Sequence, residues 1–242
     1  MNLTVDIGNS RTKLSLFDRG ECVAQEACNT LSVDVLSSFL GDNRPDASII
    51  CSVSDYNPDI AEWLKHNTGK FIEFTADTPI PITNAYSTPE TLGKDRLAAV
   101  IGAWTMKPKN PILVIDAGTA ITFDFINEEG VYEGGNIAPG AVMRLRALNE
   151  HTGKLPLVSL NERRRNRLMG DNTRAAILGG VVEGMVFEIE GYISELSVKN
   201  SGLQVFFTGG DAFFFEKYIK SPIFIVSNLT AIGLNAIIEY NL

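Results

Sequence analysis

The feature that most constrains this chain is a motif that occurs twice. "VDIGNSRTK", residues 5–13, places an aspartate at the end of an apolar run, then a glycine, small polar residues and two cations. "LVIDAGTAITFDF" repeats the arrangement: aligning Asp6 with Asp116, 110 residues on (116 − 6), also aligns Gly8 with Gly118, Asn9 with Thr119 and Thr12 with Thr122. Each copy follows one apolar strand and precedes an alternating one, which predicts two hairpins with charged turns. A repeat of this kind predicts duplicated lobes. In the first turn, Gly8 can take a positive φ and lets a ligand approach the backbone, while Asn9 and Ser10 offer side-chain donors beside exposed amides. Such a turn can hold a phosphate. The competing reading is an ordinary hairpin, since Asp, Gly, Asn and Ser favour turns for backbone reasons alone.

The remaining pattern fits duplication. "ECVAQEA" reads as a third strand, followed by helix "VDVLSSFL", strand "ASIICSV", helix "IAEWLKH" and strand "KFIEFT". The second half runs "ILVIDAG", "AITFDFI" and "GVYEGG" as strands, a long helix from about Thr173 to Leu196, then "LQVFFTGGD", "IFIV" and a closing helix "LTAIGLNAIIEY". Each lobe is three antiparallel strands plus βα units, which predicts an α/β protein of mixed sheets covered by helices, with ligands at strand ends between the lobes. "KPKNP" marks the junction, giving lobes over 1–108 and 109–242.

The length of 242 residues, 45% of them hydrophobic, suffices for two modest cores. No apolar run approaches the roughly 20 residues needed to span a bilayer and no basic leader opens the chain, so a cytoplasmic protein is expected. Cys22, Cys28 and Cys51 lack CxxC spacing, indicating neither a disulfide framework nor a zinc site. The net charge of −8 disfavours nucleic acid and anionic membranes as partners. One local exception, Arg163, Arg164, Arg165 and Arg167 in "RRRNR", reads as a solvated loop or an interface.

Three further blocks carry chemistry. "YSTPETLGKDR", Tyr86 to Arg96, sets Gly93, Lys94, Asp95 and Arg96 before a helical "LAAVIGAWTM"; a helix N-terminus with two cations attracts anions, and Asp95 is either a carboxylate in their midst or a helix cap. "GGNIAPG" reads as a glycine-rich loop leading into a helix, and "FFTGGD" as a strand, a glycine turn and a helix. No GxxxxGK[ST] or GxGxxG occurs, so P-loop and dinucleotide folds are unsupported.

In order, D-x-G-N-S-x-x-K at Asp6 to Lys13, Y-x-x-P-x-x-L-G-x-D-R at Tyr86 to Arg96, D-x-G-T-A at Asp116 to Ala120, G-G-x-I-x-P-G at Gly134 to Gly140 and T-G-G at Thr208 to Gly210 resemble the type III pantothenate kinases, of the acetate-kinase, sugar-kinase, Hsp70 and actin superfamily. The resemblance runs nearly end to end. It implies two duplicated ribonuclease H-like lobes with five-stranded mixed sheets and a cleft between them. It further implies ATP-dependent phosphorylation of pantothenate to 4′-phosphopantothenate, the first step of coenzyme A biosynthesis. By the same resemblance Asp6, Ile7, Gly8, Asn9, Ser10, Arg11, Thr12 and Lys13 form the first phosphate loop, and Thr119 belongs to the second. Asp95 is the general base. Tyr86, Gly93, Lys94, Arg96 and Thr173 hold the acceptor. Asp116 is the ligand of a monovalent cation, potassium or ammonium, and Asp6 acts through magnesium or its waters. The family implies a homodimer with the acceptor site completed by the neighbour. The alternatives are another small-molecule kinase or phosphohydrolase of the superfamily, and a non-catalytic accessory factor in transcription.

Overall fold

The computed structural model describes residues 1–162 and 168–242, so the arginine-rich run at 163–167 lies outside the described residues. The chain forms two compact units, one comprising 1–110, 125–134 and 228–242, the other 111–124 and 135–227.

In the first unit, β1 (Asn2–Ile7), β2 (Thr12–Asp18), β3 (Glu21–Cys28), β4 (Ala47–Ser52) and β5 (Lys70–Glu73) form a sheet of order β3-β2-β1-β4-β5. β1 runs antiparallel to β2 and parallel to β4. Side chains alternate across a strand, and that period decides where the chemistry goes. Leu3, Val5 and Ile7 point to one face, where with Ile50 they pack on Leu36 and Leu40 of α1 (Val33–Leu40) and Ile60 and Leu64 of α2 (Pro58–Asn67). Asn2, Thr4 and Asp6 point to the other, where Asn2 Nδ2 donates to Asn235 Oδ1 at 2.9 Å. Asn235 lies on α7 (Leu229–Asn241), which packs against α3 (Lys94–Met106).

These two helices meet through glycine. A Cβ at Gly233 would drive into Ala98 O, and one at Gly102 into Leu229 O. No side chain could occupy either position without parting the helices. From Arg96 to Ala103 every residue of α3 is buried, as expected of a helix apolar on all sides.

A second sheet repeats the plan. β7 (Ile112–Ala117), β8 (Ala120–Ile126), β9 (Val131–Pro139), β10 (Gln204–Thr208) and β11 (Phe224–Ile225) give the order β11-β10-β7-β8-β9, the first sheet's order in its own numbering. A sixth, two-residue strand β6 (Thr83–Asn84) pairs with β9 at Val131 and Tyr132, so this sheet has six strands where five were expected. Alternation sends Leu113, Ile115, Val205 and Phe207 into a core with Ala141 and Leu145 of α4 (Ala141–Glu150) and Ile177 to Ile193 of α5 (Thr173–Lys199). Asp116 and Thr208 take the opposite face. Arg144 Nη2 on α4 donates to Glu188 Oε2 on α5 at 2.6 Å. "GGNIAPG" is not a loop: it is the end of β9, and Gly140 alone turns the chain into α4.

Candidate functional site

The first turn joins β1 to β2 in a register that sets Asp6 beside Lys13 and Ile7 beside Thr12. Gly8 N donates to Arg11 O at 3.1 Å, closing a loop whose Asn9, Ser10 and Arg11 are exposed. Gly8 does not use the positive φ open to it. Glycine fits here because a Cβ would come within 3.2 Å of Arg11 O, tight but not prohibitive. Ile7 and Thr12 are buried, so their side chains anchor the turn and only their backbone faces a ligand.

On β4, Cys51 lies directly across from Asp6 and is fully buried on the same face. Burial pushes its thiol well above the ordinary range; the carboxylates of Asp6 and then Asp95 push the same way, and Lys94 pulls it down. One sulfur therefore senses both carboxylates and the lysine. Asp6 of the first turn lies beside it in the sheet, and α3, which opens with Lys94 and Asp95, packs against β4.

That block is held by its own bonds. Asn84 Oδ1 accepts from Tyr86 N at 3.0 Å, and Ala85 N donates to Tyr132 O at 3.0 Å. Tyr86 stacks on Tyr132 with centroids 6.1 Å apart. Arg96 is buried, and its Nη2 donates to Tyr132 Oη at 3.3 Å. Tyr132 is a residue that sequence reading missed; its only signal was an aromatic in the middle of "GVYEGG". At the start of α3, Asp95 Oδ1 accepts from Arg96 N at 2.9 Å. Gly93 makes room for this: a Cβ there would lie 2.7 Å from Asp95 Oδ1. Gly93, the N-cap, contributes no side-chain bond, and the Asp95 carboxylate lies in the first turn, at the positive end of the helix.

The second turn is built differently. Gly118 N donates to Ala120 O at 2.9 Å, closing a loop of two residues rather than four. Two other segments press on it. Gly140 N donates to Thr119 O at 3.1 Å, and Asp211 N to Ala117 O at 2.9 Å. A Cβ on Gly140 would strike the Gly118 and Thr119 carbonyls; one on Gly209, which sits at φ +94, would strike Ala117 O and Asp116 Oδ1. Thr208 lies across from Asp116 in the β7–β10 register. Burial raises the pKa of Asp211 above the usual carboxylate value. The alignment of Thr12 with Thr122 is not a structural equivalence, because β2 begins at Thr12 while β8 begins two residues earlier, at Ala120.

The two turns suit different ions. The first offers exposed donors and cations, a setting for phosphate. The second gathers a carboxylate, a threonine hydroxyl and backbone carbonyls, the hard oxygen donors an alkali cation takes, and these residues fit a monovalent cation. Among the described residues no group of three or more His, Cys, Asp or Glu could hold a metal ion, so a magnesium near Asp6 fits only as an ion carried mainly by phosphates and water. Thr173 is exposed in the first turn of α5, where Asn172 Oδ1 caps Ala175 N at 3.0 Å. His66 and His151 are exposed and outside every block.

A protein from Phocaeicola vulgatus named type III pantothenate kinase is 46% identical over 241 residues, spanning 100% of this chain and 99% of that protein. Among solved structures, a Campylobacter jejuni protein named for the Baf family of transcriptional activators is 24% identical with a TM-score of 0.64, over 99% of this chain and 98% of that one. A Sinorhizobium meliloti protein named for 2-dehydro-3-deoxygalactonokinase is 13% identical with a TM-score of 0.58, over 100% of this chain and 99% of that one. Both structures share the α/β fold of this chain. The family model described as type III pantothenate kinase matches residues 2–195, and with the full-length identity to curated relatives it establishes that the chain belongs to the type III pantothenate kinase family.

Proposed function

We infer that the chain carries out the reaction for which its family is named: transfer of the γ-phosphoryl group of ATP to the primary hydroxyl of pantothenate, giving 4′-phosphopantothenate and ADP at the start of coenzyme A biosynthesis. The observation that carries this reading is the family match over residues 2–195, and it is supported by the packing of α3, which opens with Lys94 and Asp95, against β4 beside Asp6, which joins a phosphate turn to a carboxylate base in one unit. In this reading the backbone amides of the first turn, with Asn9, Ser10, Arg11 and Lys13, bind the nucleotide phosphates, and Thr119 adds a phosphate contact from the second turn. Asp95 takes the hydroxyl proton as the acceptor oxygen attacks phosphorus; the bond from phosphorus to the bridging oxygen breaks and ADP leaves. Tyr86, Gly93, Lys94 and Arg96 orient the acceptor, with Arg96 locked by Tyr132. Magnesium, when bound with ATP, neutralises phosphate charge, and Asp6 would hold it or its waters. Asp116 would hold potassium or ammonium.

We also propose a homodimer, in the cytoplasm. Gly180, Gly184, Phe187 and Gly191 form one stripe along α5; a Cβ on any of the three glycines would meet nothing within 4 Å, and Phe187 is 60% exposed. A flat glycine stripe beside an exposed aromatic is a surface a second copy of the helix can approach closely. Thr173, exposed at the start of α5, would then serve the neighbour's acceptor site. The direct test is to supply ATP, magnesium and potassium with and without pantothenate and to follow both ADP and phosphopantothenate by mass spectrometry. ADP production that requires pantothenate supports the reading, and ADP production indifferent to it contradicts it. A fully active monomer in sedimentation at about micromolar concentration would remove the dimer.

A further inference from the structure

A pocket lies within the first unit, beside the Tyr86–Arg96 block. Its volume is about 220 Å³, and it is walled by the segment after β5, residues 74–80, and by residues 84–97. That space equals roughly seven water volumes, the size of a small metabolite rather than of a nucleotide. Phe74, Ile80 and Leu97 supply an apolar floor, while Lys94 and Glu90 line it with opposite charges. No hydrogen bond or ion pair engages either side chain among the described residues. The wall is preformed: Thr75 N donates to Thr78 Oγ1 at 2.9 Å and Thr78 N to Thr75 O at 3.2 Å.

This lining selects a chemical class. A simple anion would meet Glu90, a simple cation would meet Lys94, and an apolar molecule would shield both charges from water without pairing them. Only a ligand carrying both charges on a compact apolar body satisfies every wall. We propose that this pocket binds an aliphatic α-amino acid, its carboxylate on Lys94, its ammonium on Glu90 and its side chain against Phe74, Ile80 and Leu97.

The site has a functional consequence, which rests on the assignment of Lys94 to the acceptor. Lys94 opens α3 and cannot serve two carboxylates at once. The pocket also shares the segment that carries Tyr86. Amino acid binding should therefore raise the KM for pantothenate and leave the KM for ATP unchanged, and by linkage pantothenate should weaken amino acid binding by the same factor.

The test uses the full chain with L-leucine as probe, read by saturation-transfer NMR or calorimetry without ATP or pantothenate, so that it does not depend on catalysis. Leucine should bind in the millimolar range or tighter, and leucinamide and 4-methylpentanoate, each lacking one charge, about tenfold more weakly. Glu90→Gln should weaken leucine about tenfold with kcat within about twofold of wild type, and Ile80→Trp, which fills the pocket, should abolish binding. Equal affinity for the three probes, leucine binding indifferent to Glu90→Gln, or no binding up to about 10 mM would each overturn the site. Charge-selective binding with an unchanged KM for pantothenate would overturn the coupling through Lys94, whereas an inactive enzyme that still binds leucine would refute the kinase reading and leave the site standing.

Discussion

The two D-x-G turns share one sequence pattern and differ in build. In the first, four residues separate the strands and three of them present exposed side chains. In the second, only two residues separate the strands, and Gly140 and Gly209 crowd them so closely that no side chain fits. The residue across from the aspartate differs as well: Cys51, a neutral thiol, faces Asp6, while Thr208, an oxygen donor, faces Asp116. One turn displays donors and cations; the other concentrates oxygen. A duplicated scaffold repeats the position of a turn, while turn length and the opposing residue set which groups that turn presents.

Substitutions break this comparison in ranked ways. Gly209→Ala should have the largest effect, about 3 kcal/mol of lost stability, because it combines a left-handed backbone with a collision into Ala117 O and Asp116. Thermal unfolding near wild type would mean that the second turn is not clamped as described. Asp95→Asn should lower kcat by about 10²-fold or more while melting temperature and ATP binding hold. Its N-terminal bond to Arg96 N survives in asparagine, so a near-normal kcat would reduce Asp95 to a helix-end residue.

Gly8→Ala should change stability by under about 1 kcal/mol, since Arg11 O needs to move only slightly, and should instead raise the KM for ATP. A loss as large as that of Gly209→Ala would erase the distinction between the turns. The smallest effect concerns Asp211. Burial raises its folded pKa above the ordinary aspartate value, so its stability contribution is complete below that ordinary value and declines as pH rises through the raised pKa. Asp211→Asn should remove this decline, making the variant gain on wild type between about pH 4 and pH 7 in chemical denaturation. A constant difference across that range would show that Asp211 does not titrate abnormally.

The divergence of the turns also explains what could be read from the sequence. Strand alternation around Asp6 and Asp116 was legible because period two is a local signal, and the apolar run after Thr173 gave α5 to within three residues of its end, Lys199 rather than Leu196. Non-local facts were not legible. β6 is two residues long and exists only through pairing with β9, and Arg96 acquires its partner Tyr132 from a strand 36 positions away. The equivalence of Thr12 with Thr122 failed because the spacing is conserved in sequence while the second turn is shorter in space.

The central claim is that the second turn is a cation site and the first an anion site, and monovalent-cation dependence tests it most directly. Turnover should be measured in potassium, in ammonium and in sodium alone, for wild type and for Asp116→Asn, with saturating magnesium and ATP. The account predicts strong activation of the wild type by potassium or ammonium, little by sodium, and loss of that activation in Asp116→Asn. Full turnover in sodium, unchanged in Asp116→Asn, would contradict it.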